Sequence, residues 1–152
     1  MRGNTAKGKI LTENFKGYGG KAKSITYRSS WEYVAFDKME KLYSMKAIKN
    51  WASEESVFIY TSPIDNKEHR YFMDLTVIKN DNEVFYIEIK PFSQTVPPKQ
   101  GKNKKESTYI NEIKTFRVNT AKWNAVREWC KKHTTKDKKY TFLIWTEHDL
   151  NV

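Results

Sequence analysis

The sequence predicts one mixed α/β domain in which a sheet of about four strands is flanked by helices. One observation behind this fold class is length, because a chain of 152 residues is expected to bury roughly 70% of its unfolded surface. A second is composition, since 38% hydrophobic and 14% aromatic residues are enough for a core. The third is the order of periodic segments, which runs helix, three strands, one or two helices, and a last strand.

The first segment, residues 1–26, is predicted to be a basic, glycine-rich arm before a folded domain over residues 27–152. Five of the six glycines fall within the first 20 residues. As far as Arg28 the chain carries seven basic side chains and a single acidic one, Glu13. Low hydrophobicity with high charge is typical of mobile segments, so we expect this arm to be mobile.

The first helix is predicted over residues 30–43, where apolar residues recur at steps of three and four. These residues are Trp31, Val34, Ala35, Met39, Leu42 and Tyr43. Ser29 is a suitable N-cap for this helix, and Glu32 at its third position would complete a capping box. Strands are predicted next at 57–60, 71–78 and 84–90, because these runs are rich in β-branched and aromatic residues.

The second and third strands are predicted to form a hairpin around a loop at 80–82. In that register Lys79 faces Glu83, an opposite-charge pair that supports the alignment. Asp74 then faces Glu88. A register slip of one residue would remove this second pairing.

The alternation of side chains divides the hairpin into two faces. One face is apolar and contains Tyr71, Met73, Leu75, Val77, Phe85, Ile87 and Ile89. The other face carries Asp74, Glu88 and Lys90. Opposed carboxylates with Cβ atoms about 4.5 to 5.5 Å apart repel each other, and a divalent cation between them would remove the repulsion. Lys90 lies roughly 6.6 Å further along that face, where it could reach a phosphate or a metal-bound water.

The ligand chemistry of this face suits Mg²⁺, or Mn²⁺, rather than zinc, because it offers carboxylate oxygens alone. The single Cys130 and three dispersed histidines give no zinc-type spacing. Metal-assisted hydrolysis of a phosphodiester is the chemistry that such a site would support. The alternative is an ordinary solvated hairpin face. Glu32 likewise has two interpretations, as a helix cap alone or as a further ligand or water-positioning group.

The second half of the chain is predicted to begin with an exposed loop over 93–107 that contains prolines and lysines. A helical segment follows over 109–132, as one helix or as two helices broken near Asn119 and Thr120. A strand is predicted at 140–145, and Thr146 is expected to cap a short turn through Leu150.

The formal net charge of +10 favours a polyanionic partner, and nucleic acid before a membrane surface. Side chains expected to contact phosphate are Arg28, Arg70, Lys99, Lys102, Lys104 and Lys105. The longest apolar run is about four to six residues around Phe142 to Trp145, too short for a membrane span or a secretory signal, so we expect no membrane association.

Eight short motifs follow one another between Tyr27 and Leu150. They are Tyr27-Arg28-Ser29-Ser30-Trp31-Glu32, Trp51-Ala52-Ser53-Glu54-Glu55, Ser62-Pro63 with Asp65, His69-Arg70-Tyr71-Phe72 then Asp74, Glu88-Ile89-Lys90-Pro91, Pro97-Pro98, Tyr109-Ile110-Asn111-Glu112 and Ala121-Lys122-Trp123. Together they resemble the head-completion nucleases of T-even-like tailed phages. More distantly they are similar to the TnsA-type transposon endonucleases and the PD-(D/E)XK nuclease class.

The resemblance implies a restriction-endonuclease-like nuclease domain over 27–152 that cleaves DNA with a divalent metal while DNA-filled phage heads are completed. It implies that Asp74, Glu88 and the helix residue Glu32 hold Mg²⁺, or Mn²⁺, and that Lys90 is the catalytic lysine of the motif. It further implies contacts with head or connector proteins, and a location in the host cytoplasm during phage assembly or in the virion. Met73 stands where the class motif has proline, but this position faces the core in the predicted register.

A competing hypothesis is a non-catalytic protein that binds nucleic acid or assists capsid assembly. It accounts for the net charge equally well. It gives no reason for Asp74 and Glu88 to face each other. Cleavage of DNA with and without a divalent metal separates the two hypotheses.

Overall fold

The structure, a computed structural model, describes residues 7–152. Its helices and strands are β1 (Gly8–Leu11), β2 (Ser24–Tyr27), α1 (Ser30–Ser44), β3 (Asn50–Ser53), β4 (Val57–Thr61), β5 (Glu68–Phe72), β6 (Leu75–Asn80), β7 (Glu83–Ile89), α2 (Glu106–His133), β8 (Lys139–Trp145) and α3 (Glu147–Leu150). Over these residues no helix has the length and apolar character needed to cross a membrane.

A four-stranded sheet in the order β3-β6-β7-β8 forms the centre of the molecule. Three of its strands pair antiparallel, whereas β7 and β8 pair parallel, so the sheet is mixed as predicted. A parallel pair requires a long crossover connection, and α2 provides it. The antiparallel pairs β1–β2 and β4–β5 form two separate small sheets.

Helices cover both faces of the central sheet. On one face Phe36 and Met39 of α1 pack in a cluster with Trp51, Leu75 and Ile87. On the other face α2 contributes to a second cluster, whose buried residues are Phe58, Tyr60, Tyr71, Met73, Val84, Tyr86, Trp123, Val126 and Cys130. The predicted division of the hairpin into one apolar and one polar face is therefore wrong, because the second face is also largely packed. Burial on both faces is typical of a sheet with parallel pairing.

The strand predicted at 71–78 is two strands that belong to different sheets. β5 pairs with β4, whereas β6 pairs with β3 and β7, and the chain bends at Met73 and Asp74. The Glu54 N–H donates to the carbonyl oxygens of Met73, at 3.1 Å, and Asp74, at 3.3 Å. The bend is thus held by the neighbouring strand connection. Met73 is fully buried there, as expected for this position.

The predicted register of the β6–β7 hairpin is confirmed from the pair Leu75–Ile87 to the pair Ile78–Val84. At the tip it is wrong, because the register shifts there and Asn80 pairs with Glu83. Asp74 precedes the ladder, so Asp74 and Glu88 are not a cross-strand pair in it.

The segment predicted as a mobile arm is folded from Lys7 onward, and residues 1–6 lie outside the described part of the chain. Tyr18 packs edge-on against Trp51, with ring centroids 5.1 Å apart. Gly17 accepts a backbone hydrogen bond from Trp51, and a Cβ at Gly17 would lie 2.6 Å from Tyr43. Contacts of this segment with the rest of the domain therefore order it despite its glycines and lysines. The predicted boundary at 26 does not separate an unfolded arm from a folded domain.

The remaining predicted elements hold with small changes. α1, β7 and β8 begin and end within about two residues of the predicted bounds, as is usual for such boundaries. α2 is a single helix of 28 residues rather than two. β3 was not predicted, and it takes the place in the central sheet expected for the strand at 57–60. We call residues 95–105, between a short 3-10 turn at Phe92–Gln94 and α2, the lysine loop.

Candidate active site

Four elements place the predicted catalytic residues at one end of the central sheet. Asp74 lies in the bend between β5 and β6, and Glu88 lies near the end of β7. Lys90 follows β7 directly, and its N–H donates to the carbonyl of Trp145 in β8 at 2.9 Å. Glu32 lies in the first turn of α1.

The carboxylate of Glu88 is buried, with a residue exposure of 7%, and both of its oxygens have partners. The Tyr71 hydroxyl donates to Oε2 at 2.5 Å. The Lys90 Nζ lies 3.5 Å from Oε1. Since a buried charge without partners is strongly unfavourable, these two groups explain how Glu88 is tolerated there.

The carboxylate of Asp74 is partly buried and accepts a hydrogen bond from the Ile89 N–H at its Oδ2, at 2.8 Å. Burial raises the pKa of Asp74 well above its ordinary value, and the adjacent Glu88 raises it further. The Ile89 N–H opposes this shift, whereas the more distant Glu32 adds to it. Asp74 and Glu88 therefore form a pair of adjacent carboxyl groups whose mutual repulsion favours binding of a proton or another cation.

Glu32 has contacts that fit both of its predicted interpretations. Ser29 caps α1 by accepting the Glu32 N–H at 3.3 Å, and the Glu32 Oε2 accepts the N–H of Arg28 at 2.6 Å. That bond lies one residue before the N-cap, so the predicted capping box is only half formed. Burial raises the pKa of Glu32, and the charges of Glu54 and Glu88 act in the same direction.

The three predicted metal ligands are not brought together as a set. Among residues 7–152 no three histidine, cysteine, aspartate or glutamate side chains are close enough to hold one metal ion. Asp74 and Glu88 are adjacent, while Glu32 raises the pKa of Asp74 through its charge after the larger effects of burial and Glu88.

Sequence reasoning missed three side chains around this pair. Glu54 forms an ion pair with Arg28, and its backbone has a positive φ of 52° at the bend beside Asp74. Tyr71 reaches Glu88 from β5. Lys122 of α2 lies over the Tyr71 ring, 5.4 Å from its centroid. Only the need of a buried tyrosine hydroxyl for a partner could have pointed to Tyr71.

The residues predicted to contact phosphate differ in their surroundings. Arg70 on β5 is exposed, as are Lys99, Lys102 and Lys105 of the lysine loop. Lys104 is not free in this way, because its Nζ lies 2.8 Å from Glu112 and donates to the Lys99 carbonyl at 2.7 Å. Arg28 is likewise engaged by Glu54.

One cleft lies beside Glu32 and another beside the lysine loop. The first, of about 400 Å³, is lined by Glu32, Ile89 and Ser93 among others. The second, of about 730 Å³, lies between the lysine loop and α2, and its lining includes Ser93, Lys99 and the buried Asn119. Ser93 lines both clefts.

Comparison with known proteins identifies the family of this chain. Residues 45–147 match a family model described as TnsA-like endonuclease N terminal. The chain is also similar to the head completion nuclease of Enterobacteria phage T4, with 36% identity over 146 residues, which cover 94% of the chain and 92% of that protein. The chain belongs to the head-completion nucleases within the TnsA-like endonuclease family. No solved structure matches it.

Membership in this family accounts for the architecture. The TnsA-like endonuclease domain is restriction-endonuclease-like, and the mixed sheet with helices on both faces agrees with that fold class. The matched segment contains Asp74, Glu88 and Lys90, whereas Glu32 and the β1–β2 sheet precede it. The similarity to the phage protein covers the N-terminal elements as well.

Proposed function

We propose that this chain is a divalent-metal-dependent DNA endonuclease that acts on packaged DNA ends during phage head completion. The observation that carries the proposal is the adjacent, inward-facing pair Asp74 and Glu88 with Lys90 beside it. Structural stability alone gives no reason to hold two carboxylates together in a poorly solvated place. In a member of an endonuclease family, two adjacent carboxylates can bind the metal ion that assists cleavage.

The donor set of this pair fits Mg²⁺, with Mn²⁺ as an alternative. Both groups are hard oxygen donors. The pKa of Asp74 is raised first by burial and then by the negative charge of Glu88, and a divalent cation would offset both effects. We propose that Asp74 and Glu88 hold the ion, and that Glu32, which lies outside this pair, positions a water molecule from the first turn of α1. A bound ion would polarise the scissile phosphate and lower the pKa of a water molecule.

The proposed role of Lys90 follows from its place next to Glu88. Its side chain is 22% exposed, so the ammonium group is shielded but can still be reached from the surface. There it can orient a water molecule or stabilise negative charge on the phosphate as the bond breaks. The salt bridge to Glu88 at 3.5 Å limits where the ammonium group can lie.

DNA is proposed to lie across the two clefts that share Ser93, with its phosphates near the exposed lysines. The net charge of +10 supports such an approach. Lys99, Lys102 and Lys105 are the side chains proposed to make contacts from the loop side, and Arg70 from β5. Arg28 would have to exchange its ion pair with Glu54 for a phosphate.

The setting proposed for this activity is the infected host cell while phage heads are assembled, with persistence in the virion as an extension. The name of the phage relative supports this placement. Contacts with head or connector proteins belong to the same proposal.

The experiment that tests the proposal is cleavage of plasmid and linear DNA by the purified chain with Mg²⁺, with Mn²⁺ and with EDTA. We expect nicking or cutting only with a metal, and none by the Asp74→Asn variant. Metal-independent cleavage would overturn the proposed metal dependence. Binding without any cleavage under all conditions would overturn the proposal in favour of the binding-only hypothesis.

A further inference from the structure

A buried tyrosine beside the carboxylate pair has no part in the chemistry proposed above. Tyr71, at 5% exposure, lies near the end of β5, and its hydroxyl donates to the Glu88 Oε2 at 2.5 Å. The two residues come from different sheets and lie 17 positions apart in the chain. Their contact therefore depends on the bend at Met73 and Asp74.

The Tyr71 hydroxyl can act only as a donor toward Glu88. A carboxylate oxygen accepts hydrogen bonds, and the hydroxyl supplies the hydrogen of this contact. The ring is held from several sides, because it packs in the cluster under α2 and Lys122 lies over its face. A cation over the face of an aromatic ring is attracted to it, so Lys122 adds to the contacts that fix the ring.

This hydrogen bond gives the two oxygens of Glu88 different surroundings. Oε2 is bound by Tyr71, and Oε1 faces Lys90. The last torsion of a glutamate side chain is broad and roughly two-fold, so the carboxylate would turn more freely without a fixed donor. Metal sites are sensitive to such freedom, since the partners of a ligand usually set its orientation.

We propose that Tyr71 is a positioning residue that fixes the Glu88 carboxylate for metal binding, an inference that rests on the proposed function. Tyr71 does not touch the reacting phosphate. It acts through Glu88, and its removal should weaken metal binding more than it slows cleavage at saturating metal.

The test compares Tyr71→Phe with Tyr86→Phe. Both variants remove one hydroxyl from a buried tyrosine of the same cluster, but Tyr86 packs beside Tyr140 rather than against a carboxylate. Calorimetric titration with Mn²⁺ and with Mg²⁺, without DNA, measures affinity directly. Cleavage over a range of Mg²⁺ concentrations measures half-saturation and maximal rate separately.

We expect Tyr71→Phe to bind metal about tenfold more weakly, and to need about tenfold more Mg²⁺ for half-maximal cleavage. Its rate at saturating Mg²⁺ should stay within a few-fold of wild type, and Tyr86→Phe should match wild type in both measurements. Equal metal affinity in all three proteins would overturn the inference and leave the proposed function standing. A similar fall in melting temperature for both variants without a change in affinity would make Tyr71 a packing residue only. A wild-type protein that neither binds metal nor cleaves DNA would instead overturn the proposed function.

Discussion

The acidic pair and the lysine loop use charge in opposite ways. Glu88 is buried, and each of its oxygens has a partner, Tyr71 or Lys90. Lys99 and Lys102, by contrast, are exposed. In the first region, hydrogen-bond and ion-pair partners offset the cost of removing a charge from water. In the second region the charges stay hydrated and are screened by salt.

The difference has a consequence for how each region responds to substitution. Buried charges act through fixed partners, so losing one of them should remove a function. Exposed charges act on a polyanion through their sum, so losing one should change binding by a small and additive step. Lys104 tests the distinction from within the loop, because it is paired with Glu112.

The largest expected effect is on cleavage by Asp74→Ala and Glu88→Ala. Each should lose activity by orders of magnitude, since half of the proposed metal site is gone. DNA binding measured in EDTA should be unchanged or tighter, because a carboxylate near phosphate repels it. Gel-shift and cleavage assays on the same preparations separate the two properties. Cleavage at the wild-type rate by either purified variant would remove the active site from this end of the sheet.

Glu32→Gln is expected to have the next largest effect. Glutamine can still accept the Arg28 N–H and leave α1 capped, but a neutral amide carries no charge and cannot accept a proton from a water molecule. We expect a folded protein whose cleavage falls by orders of magnitude, with a smaller loss than in Asp74→Ala.

Ser29→Ala is the control for the cap alone. It should reduce stability by about 0.5 to 2 kcal/mol through loss of the N-cap and leave cleavage largely intact below the melting transition. If Glu32→Gln instead cuts DNA normally over a full Mg²⁺ titration, Glu32 is only a cap.

Replacing Lys99, Lys102 and Lys105 together with glutamine should have a moderate effect on binding. The slope of log affinity against log salt concentration should fall by roughly 0.9 for each lost duplex contact. Lys104→Gln is the matched control. The Lys104 ammonium group is already paired with Glu112, so this substitution should change the slope little. Equal slopes for the triple variant and wild type would mean that DNA approaches from another side.

Much of this arrangement could be predicted from periodicity and residue type. α1 and β7 have clear apolar periodicity in the sequence. The position assumed for the hairpin loop was enough to predict the register of β6 and β7 from Leu75 to Ile78. Placing Asp74, Glu88 and Lys90 at one end of the sheet needed only that hairpin.

What could not be predicted depends on pairing between distant parts of the chain. β3 is four residues long, and only Trp51 in it favours a strand, so its identity comes from its pairing with β6. The bend at Asp74 in turn depends on the Glu54 N–H next to β3. The Tyr71–Glu88 contact required that bend, which is why the tyrosine was placed on the wrong face.

The smallest expected effect is on the free energy of unfolding without metal. Replacing a buried carboxylate and replacing an exposed one should change this free energy in opposite directions. The folded-state pKa of Asp74 is raised, so between the unfolded value near 3.9 and that raised value only the folded protein holds the proton. The contribution of Asp74 to the free energy of unfolding is therefore fully present below the unfolded pKa. It falls as pH rises, by at most about 1.4 kcal/mol per pH unit, until the folded pKa is passed.

Asp74→Asn should accordingly melt at a higher temperature than wild type at neutral pH in EDTA, and it should lose part of the decline in stability above about pH 4. The matched control is the exposed Asp81, whose pKa is lowered by its hydrogen bond with Lys49. Its contribution is present above the unfolded pKa and disappears in acid, so Asp81→Asn should be slightly less stable than wild type at neutral pH. Thermal melts across this range, with saturating Mg²⁺ as a second series, measure both. A pH profile for Asp74→Asn identical to that of wild type would mean that neither burial nor Glu88 raises the pKa of Asp74 in the folded protein.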